Sequence, residues 1–172
     1  MKKLFILSLV GLASLSATAQ ETTLQETRFT DNWSVGLNGG IVTPLTHHAF
    51  WGNARSAVGV QLNKDVTPVF GFGIESMWTI HTSESRTAFD ASNLSLLGRV
   101  NLTNLFAGYR DEPRLFEIEA MAGAGWLHYY ANGEGDANGW STKAGLNLNF
   151  NLGLERAWTI AIKPAVVWNM DG

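Results

Sequence analysis

The stretch WSTKAGLNLNFNLG, residues 140–153, alternates apolar side chains with polar residues or glycine at nearly every step. This period of two is typical of a β-strand, because successive side chains of an extended chain point to opposite faces. The run is longer than the roughly five or six residues of an average strand in a soluble protein. It suits the about 9 to 11 residues that a tilted strand needs to cross a bilayer. The stretch therefore predicts a long strand with one apolar face.

Six other segments of the chain repeat this alternation. They are residues 33–41, 58–63, 70–80, 94–103, 116–127 and 158–169. Long polar connections at 43–55, 83–92 and 131–139 alternate with short ones at 64–68 and 154–157, and the link 104–113 is an exception on the short side. Short links between such strands favour antiparallel neighbours. We therefore expect an all-β protein, an antiparallel up-and-down transmembrane β-barrel with seven strands of an expected eight.

The odd number of predicted strands would leave the barrel open. Bacterial single-chain barrels close with even strand counts, because a free edge in lipid leaves N–H and C=O groups unpaired. The seventh run is followed by Asp171 and Gly172, which are typical turn residues. We therefore expect residues 33–172 to form a barrel that is incomplete at its C-terminus, with the last strand in a longer parent chain.

The first nineteen residues are predicted to be a signal peptide. Lys2 and Lys3 provide the charged start, residues 4–15 the apolar stretch, and residues 17–19 a small-residue cleavage site. A membrane anchor is the alternative, but the apolar run is shorter than the about 18 residues of a spanning helix. Residues 20–32 form a polar lead that we place in the periplasm. The leader and the barrel pattern together indicate export to the outer membrane of a Gram-negative bacterium.

The composition excludes several classes of protein. Charged residues make up 16% of the 172 residues, the net charge is -3 and there is no cysteine. An acidic chain without a basic patch does not suit nucleic acid, and the lack of thiols excludes disulfides and thiolate zinc sites. His47 and His48 are adjacent, so their side chains would point apart on an extended segment. We therefore predict no metal site and no cofactor.

The polar face of the predicted strands is rich in Gly, Ser and Asn and carries few charges, which suits the narrow lumen of an eight-stranded barrel. Its charged residues are three acids and three bases, and buried ions are tolerated when they are paired. They are Glu75, Glu117, Glu119, Arg99, Lys143 and Lys163. We predict that these side chains form an ion-pair network that plugs the lumen. The alternative is a soluble barrel with the same charges in water.

Tryptophan gives a separate indication of a bilayer. Six of the seven Trp residues are predicted in the apolar register near strand ends. Trp78, Trp126, Trp140 and Trp168 lie on the long-loop side, and Trp33 and Trp158 lie on the turn side. Two such girdles are typical of membrane barrels, because indole is apolar in body and polar at its N–H.

Three stretches resemble the amino-terminal barrels of OmpA-family outer-membrane proteins of the Bacteroidota type. They are NWSVGLNGG at 32–40, TPVFGFG at 67–73 and TAFDASN at 87–93. The resemblance covers residues 33–169 and implies an eight-stranded barrel in contact with outer-membrane lipid. In that family, a following globular domain often binds peptidoglycan. That partner is implied only through a downstream domain outside these 172 residues.

The function expected from these observations is that of a non-enzymatic structural anchor of the envelope, with outward loops and a plugged lumen. A small-solute, porin-like pore is the first alternative, and a secreted soluble ligand-binding barrel is the second. An outer-membrane lipid hydrolase or acyltransferase is a further alternative, because such enzymes use Ser and His near the outer rim. His81, Ser83 and His128 are predicted to lie there.

Overall fold

The computed structural model describes residues 5–17, 29–44, 51–52, 54–80, 88–130, 137–153 and 156–170. Its elements are β1 (Phe5–Ala17), β2 (Trp33–Pro44), β3 (Arg55–Asp65), β4 (Phe70–Ile80), β5 (Ala91–Asn101), α1 (Leu102–Ala107), β6 (Phe116–Tyr129), β7 (Ala137–Leu152) and β8 (Trp158–Asn169). The strands follow one another in sequence order around a closed barrel. The predicted all-β, antiparallel up-and-down fold is confirmed, and the seven predicted strands correspond to β2–β8.

Each of the seven predicted strands pairs with its neighbour in a register that keeps like faces together. In the β6–β7 ladder, Phe116 lies opposite Phe150 and Trp126 lies opposite Trp140. Because side chains alternate along a strand, this register places the rings of both pairs on the same side of the sheet. The alternation in the sequence therefore continues in register from strand to strand, so that the outward positions of β6 and β7 form one surface.

The eighth position of the barrel is filled by β1, which lies within the predicted leader. It pairs with β8 from Phe5 opposite Trp168 to Ala17 opposite Trp158, with an irregularity between Val10 and Ser14. It meets β2 at Ile6 opposite Pro44 and at Leu7 opposite Thr43. The sequence predicted that this chain leaves the eighth position vacant, and here the structure differs. Unpaired edges on β2 and β8 are costly, and an apolar segment can pair with both. Cleavage after residue 19 stays a prediction.

Most large apolar side chains of β2–β8 face outward, and most of their charged side chains face inward. Leu37 and Leu96 are each 62% exposed, whereas Glu75 and Lys143 are almost completely buried. Within the described residues, the buried apolar cluster consists of Leu97, Met121 and Ala165. This distribution is the reverse of a soluble protein, in which the apolar residues fill the core.

Glycine permits close strand approach on the inner wall of β6. A Cβ atom at Gly125 would lie 2.6 Å from the carbonyl oxygen of Leu94, and one at Gly123 would lie 2.8 Å from the Cα atom of Leu97. Both distances are below any normal contact to a neighbouring backbone. The inward glycines of this strand therefore allow β5 and β6 to pack closely, because any larger side chain would clash with the backbone of β5.

The link 104–113, which the sequence predicted only as a longer turn, begins within a short helix. Asn101 caps α1 by accepting a hydrogen bond from the Asn104 backbone N–H at 2.9 Å. The Asn104 side chain donates to the Pro68 carbonyl oxygen at 2.8 Å, and Thr103 Oγ1 accepts from the Ile118 N–H at 2.8 Å. These bonds hold α1 against the turn end of the barrel. Its six residues are too few for the period of a helix to be recognised in the sequence.

Candidate functional site

The centre of the lumen is crossed by an ion pair. Glu75 on β4 and Lys143 on β7 form a salt bridge, and their side chains are only 4% and 5% exposed. Since β5 and β6 separate these strands in the wall, the pair spans the interior rather than running along the sheet. Asn38 Nδ2 also donates to Glu75 Oε2 at 3.3 Å. The carboxylate is therefore bonded from two sides of the barrel.

Lys163 joins the same level from β8. Its Nζ atom donates to the side-chain oxygen of Gln61 and, at 3.2 Å, to Asn38 Oδ1. A continuous set of hydrogen bonds thus connects β2, β3, β4, β7 and β8 across the lumen. We refer to these residues as the central layer: Asn38, Gln61, Glu75, Lys143 and Lys163. Such a set satisfies ions that would otherwise be very costly to bury.

A second layer lies nearer the turn end and is centred on Arg99. The guanidinium binds Glu119 in a fork, with Nε to Oε1 at 2.9 Å and Nη2 to Oε2 at 2.6 Å. Its Nη1 atom donates to Asp65 Oδ1 at 3.1 Å, and Asn147 donates to Glu119 Oε1. We refer to Asp65, Arg99, Glu119 and Asn147 as the turn-side layer. The planar fork of Arg suits this geometry because it serves two carboxylates at once.

The structure brings five of the six predicted lumenal charges into these two layers. Glu117 lies apart, at the turn end, where it accepts hydrogen bonds from Asn101 Nδ2 at 3.1 Å and from the Arg114 backbone N–H at 3.3 Å. Within the described part of the chain, no ion pair of Glu117 is seen. Glu117 therefore does not join the predicted ion-pair network. It lies two residues nearer the start of β6 than Glu119, and so below the level of Arg99.

Four members of the layers were missed by reasoning from the sequence. Asn38, Gln61 and Asn147 are neutral, and a search for opposite charges overlooks them. Asp65 falls in the predicted short connection 64–68, although it continues the inward register of Gln61 and Asn63. Extending the predicted strand at 58–63 by two residues would include Asp65.

The central layer lies between two cavities. The larger one, of about 190 Å³, is on the turn side, and its polar lining includes Gln61, Arg99 and Lys163. The smaller one, of about 60 Å³, is on the loop side, and its lining includes Glu75 and Lys143 together with the apolar wall. The wall contributes Val42, Met77, Leu127 and Val167. The central layer therefore lines both cavities, with Gln61 and Lys163 on the turn side and Glu75 and Lys143 on the loop side.

The predicted aromatic residues lie on the outward register near the two ends of the barrel. On the loop side, Trp126 and Trp140 are paired and exposed, while Trp78 and Trp168 are half-buried. On the turn side, Trp158 is exposed and Trp33 is half-buried. These residues form a broken ring at each rim.

Trp33 is fixed by its surroundings. Its Nε1–H donates to the Phe29 carbonyl oxygen at 2.6 Å, and its ring packs edge-on against that of Phe72 at 6.3 Å. The Lys64 ammonium lies 5.3 Å from the Trp33 ring centre. The turn-side ring therefore combines apolar rings with a cation at the rim.

The residues considered for enzymatic or metal chemistry do not form a site in the described chain. His128 lies on the outward face near the loop end, and its Nδ1 atom is 2.7 Å from Asn138 Oδ1. His47, His48, His81 and Ser83 lie outside the described residues. Among the residues that the structure describes, no group of three or more His, Asp or Glu side chains is placed to hold a metal ion. In the same part of the chain, no helix has the length and apolarity needed to cross a bilayer.

Comparisons of the chain with protein-family models, with curated proteins and with solved structures find no significant match. The geometry of the barrel wall and of its two polar layers is therefore the basis for any functional assignment.

Proposed function

We propose that this protein is a non-enzymatic β-barrel of the outer membrane of a Gram-negative bacterium, a structural anchor with outward loops and a plugged lumen. The observation that carries the proposal is the reversal of polarity across the wall, with exposed apolar side chains outside and buried ion pairs inside. The resemblance of three sequence stretches to OmpA-family barrels supports the same assignment. Contact with peptidoglycan would require a further domain.

A bilayer explains the outer wall better than water does. Burying a Leu, Val or Phe side chain stabilises a protein by roughly 1.5 to 3 kcal/mol, so a wall that leaves many of them exposed forgoes much of the usual driving force in water. The exposed residues also form a continuous band rather than scattered positions, which marks an interaction surface. Hydrocarbon is the partner that covers such a band on all sides at once.

The central layer supports the proposal of a plugged lumen. Moving Glu75 or Lys143 aside would separate a buried ion pair and leave each charge without a counter-ion. Breaking such a pair costs about 3 to 5 kcal/mol. The closed arrangement is therefore expected to dominate, and steady conduction of ions through the barrel is not expected.

The test compares one substitution at two levels of the outer surface. Leu96→Arg places a charge at the middle of β5, where a membrane barrel loses about 2 to 4 kcal/mol. Val66→Arg makes the matched change in the turn after β3, where the expected loss is about 1 kcal/mol or less. Refolding into lipid vesicles, followed by gel mobility with and without heating, measures insertion. Equal insertion of both variants, or an unaltered chain that stays in the aqueous phase, would contradict the proposal.

A small-solute pore is the second candidate, and the turn-side cavity of about 190 Å³ favours it. This chamber already provides a polar path through part of the lumen, so only the central layer would have to rearrange. In planar bilayers, Lys143→Glu would repel Glu75 and should raise conductance if the central layer acts as a gate. An unaltered barrel with large, stable open channels would favour the pore over the plugged anchor.

A further inference from the structure

The link between β5 and β6 forms a surface feature that the anchor function does not use. It carries α1 and continues to Leu115, and its outer side is strongly apolar: Phe106 is 82% exposed, Leu105 is 48% exposed and Leu115 is 60% exposed. Asn104 on the same helix lines the turn-side cavity. Residues two positions apart on a helix face opposite ways, so Phe106 points away from the lumen.

This link is held in a defined shape. Arg114 donates through Nη1 to Asn104 Oδ1 at 2.7 Å and through Nη2 to the carbonyl oxygens of Ala107 and Gly108, at 3.1 and 2.7 Å. The guanidinium thus satisfies carbonyl groups at the end of α1 that the helix itself leaves free. The exposed apolar side chains are therefore presented by a braced structure.

Leu115, at the end of the link, lies in the lining of a basic groove. Its lining contains three arginines and one acidic residue: Arg110, Glu112, Pro113, Arg114, Leu115 and Arg156. The Nη1 atom of Arg156 is buried and has no hydrogen-bond partner among the described residues. Arg156 is also held at φ 50°, in the left-handed region that non-glycine residues rarely adopt. Arg110 and Arg156 line the turn-side cavity as well as this groove, and an excess of arginine over acid in the lining favours an anion as the ligand.

The groove joins the lipid-facing wall directly. Leu115 lines the groove, and the next residue, Phe116, is exposed on the outward face of β6 and packs against Phe150 in a tilted arrangement, with 5.0 Å between ring centres. A ligand with an anionic head and an apolar body would meet arginine at one end and this aromatic wall at the other. A phospholipid has this chemistry, since Arg binds phosphate through paired N–H donors.

We propose that the groove binds the phosphate of a phospholipid in the leaflet at the turn end, while Leu105, Phe106 and Leu115 lie among its acyl chains near the headgroup. This inference rests on the proposed membrane function and names the lipid chemistry that the turn end selects. Arg110 and Arg156 bind the phosphate, and Arg114 positions the link. An anionic lipid is favoured over a zwitterionic one, because arginine outnumbers acid in the groove.

The test measures the thermal midpoint of the barrel by gel mobility in vesicles of phosphatidylcholine alone and with added phosphatidylglycerol. We expect the anionic lipid to raise the midpoint of the unaltered chain by about 2 to 4 °C. The rise should be halved in Arg110→Gln and lost in the double variant R110Q/R156Q. Arg55→Gln, which removes an arginine at the opposite end of the barrel, is the matched control and should keep the full rise.

Three results would overturn the lipid site. They are no rise in the unaltered chain, an equal rise in R110Q/R156Q, or an equal rise produced by free inorganic phosphate in phosphatidylcholine vesicles. Phe106→Ser separates the two parts of the site. It should lower the midpoint equally in both vesicle types, because its contact is with acyl chains rather than with phosphate.

Failure of the membrane proposal would give a different result from failure of the lipid groove alone. A chain that enters neither kind of vesicle overturns the barrel function and the lipid groove together. Normal insertion of R110Q/R156Q into phosphatidylcholine shows that the double variant is folded, so that its lack of response to phosphatidylglycerol can be assigned to the groove.

Discussion

The two charged layers of the lumen differ in their formal charge and in the way they achieve balance. The central layer contains one acid, Glu75, and two bases, Lys143 and Lys163, whereas the turn-side layer contains two acids and one base. Neither layer is neutral by itself, but together they are. In the central layer, the amides of Asn38 and Gln61 connect the charged groups. In the turn-side layer, the Arg99 guanidinium binds both carboxylates directly. The formal charges therefore balance across the two layers rather than within either one.

The largest expected effect comes from removing the acid of the central layer. Glu75→Gln leaves Lys143 and Lys163 buried with no carboxylate at their level, so the free energy of unfolding should fall by about 3 to 5 kcal/mol. Lys163→Met removes the excess base instead and leaves the Glu75–Lys143 pair intact, so its cost should be smaller. Urea unfolding of the vesicle-inserted barrel measures both. A larger loss in Lys163→Met would mean that the layers do not balance one another.

The amides of the two layers should also differ in importance. Asn38 connects Glu75 and Lys163, so Asn38→Ala breaks two hydrogen bonds to ions and should cost about 1.5 to 3 kcal/mol. Asn147 binds Glu119, but its own Oδ1 atom is buried without a hydrogen-bond partner among the described residues. Removing that unsatisfied atom offsets part of the loss, so Asn147→Ala should cost less than 1.5 kcal/mol or so. The same unfolding measurement ranks the two variants, and equal losses would argue against a distinct bridging role for Asn38.

The smallest expected effect comes from replacing the forked guanidinium of Arg99. Arg99→Lys keeps the charge of the turn-side layer but cannot donate to Glu119 and Asp65 in the same geometry, and we expect a loss of about 1 to 2 kcal/mol. Arg55→Lys is the control, because the Arg55–Asp90 contact is long, at 4.0 Å, and partly exposed, so its loss should be close to zero. If Arg99→Lys is as stable as the control, charge alone holds the turn-side layer.

Much of the fold could be predicted because one face of every strand is apolar. The alternation in residues 140–153 has the same period in β7 of the structure, and the Glu75–Lys143 and Arg99–Glu119 pairs use residues that share the predicted inward register. A period of two decides the face of a side chain without any knowledge of its neighbours. The same reasoning places Trp126 and Trp140 on the outer wall at one end.

The partners of those side chains could not be predicted. That Arg99 reaches both Glu119 and Asp65 depends on the register of β3, β4, β5 and β6, because their relative shift decides which inward residues share a level. The α1 link was missed for a different reason. Its six residues are stabilised by the Asn101 cap and the Arg114 brace, and these are contacts between residues rather than a pattern within them.

By itself, the amino-acid sequence determined that this protein is built from long amphipathic strands and which side chains belong to each face, because alternation is a local property of an extended chain. Only the tertiary structure decided that the ions form two mutually compensating layers, that a basic groove lies at Leu115, and that Phe5–Ala17 fills the eighth position. Those features arise from the closure and shear of the sheet, which bring together residues far apart in the chain.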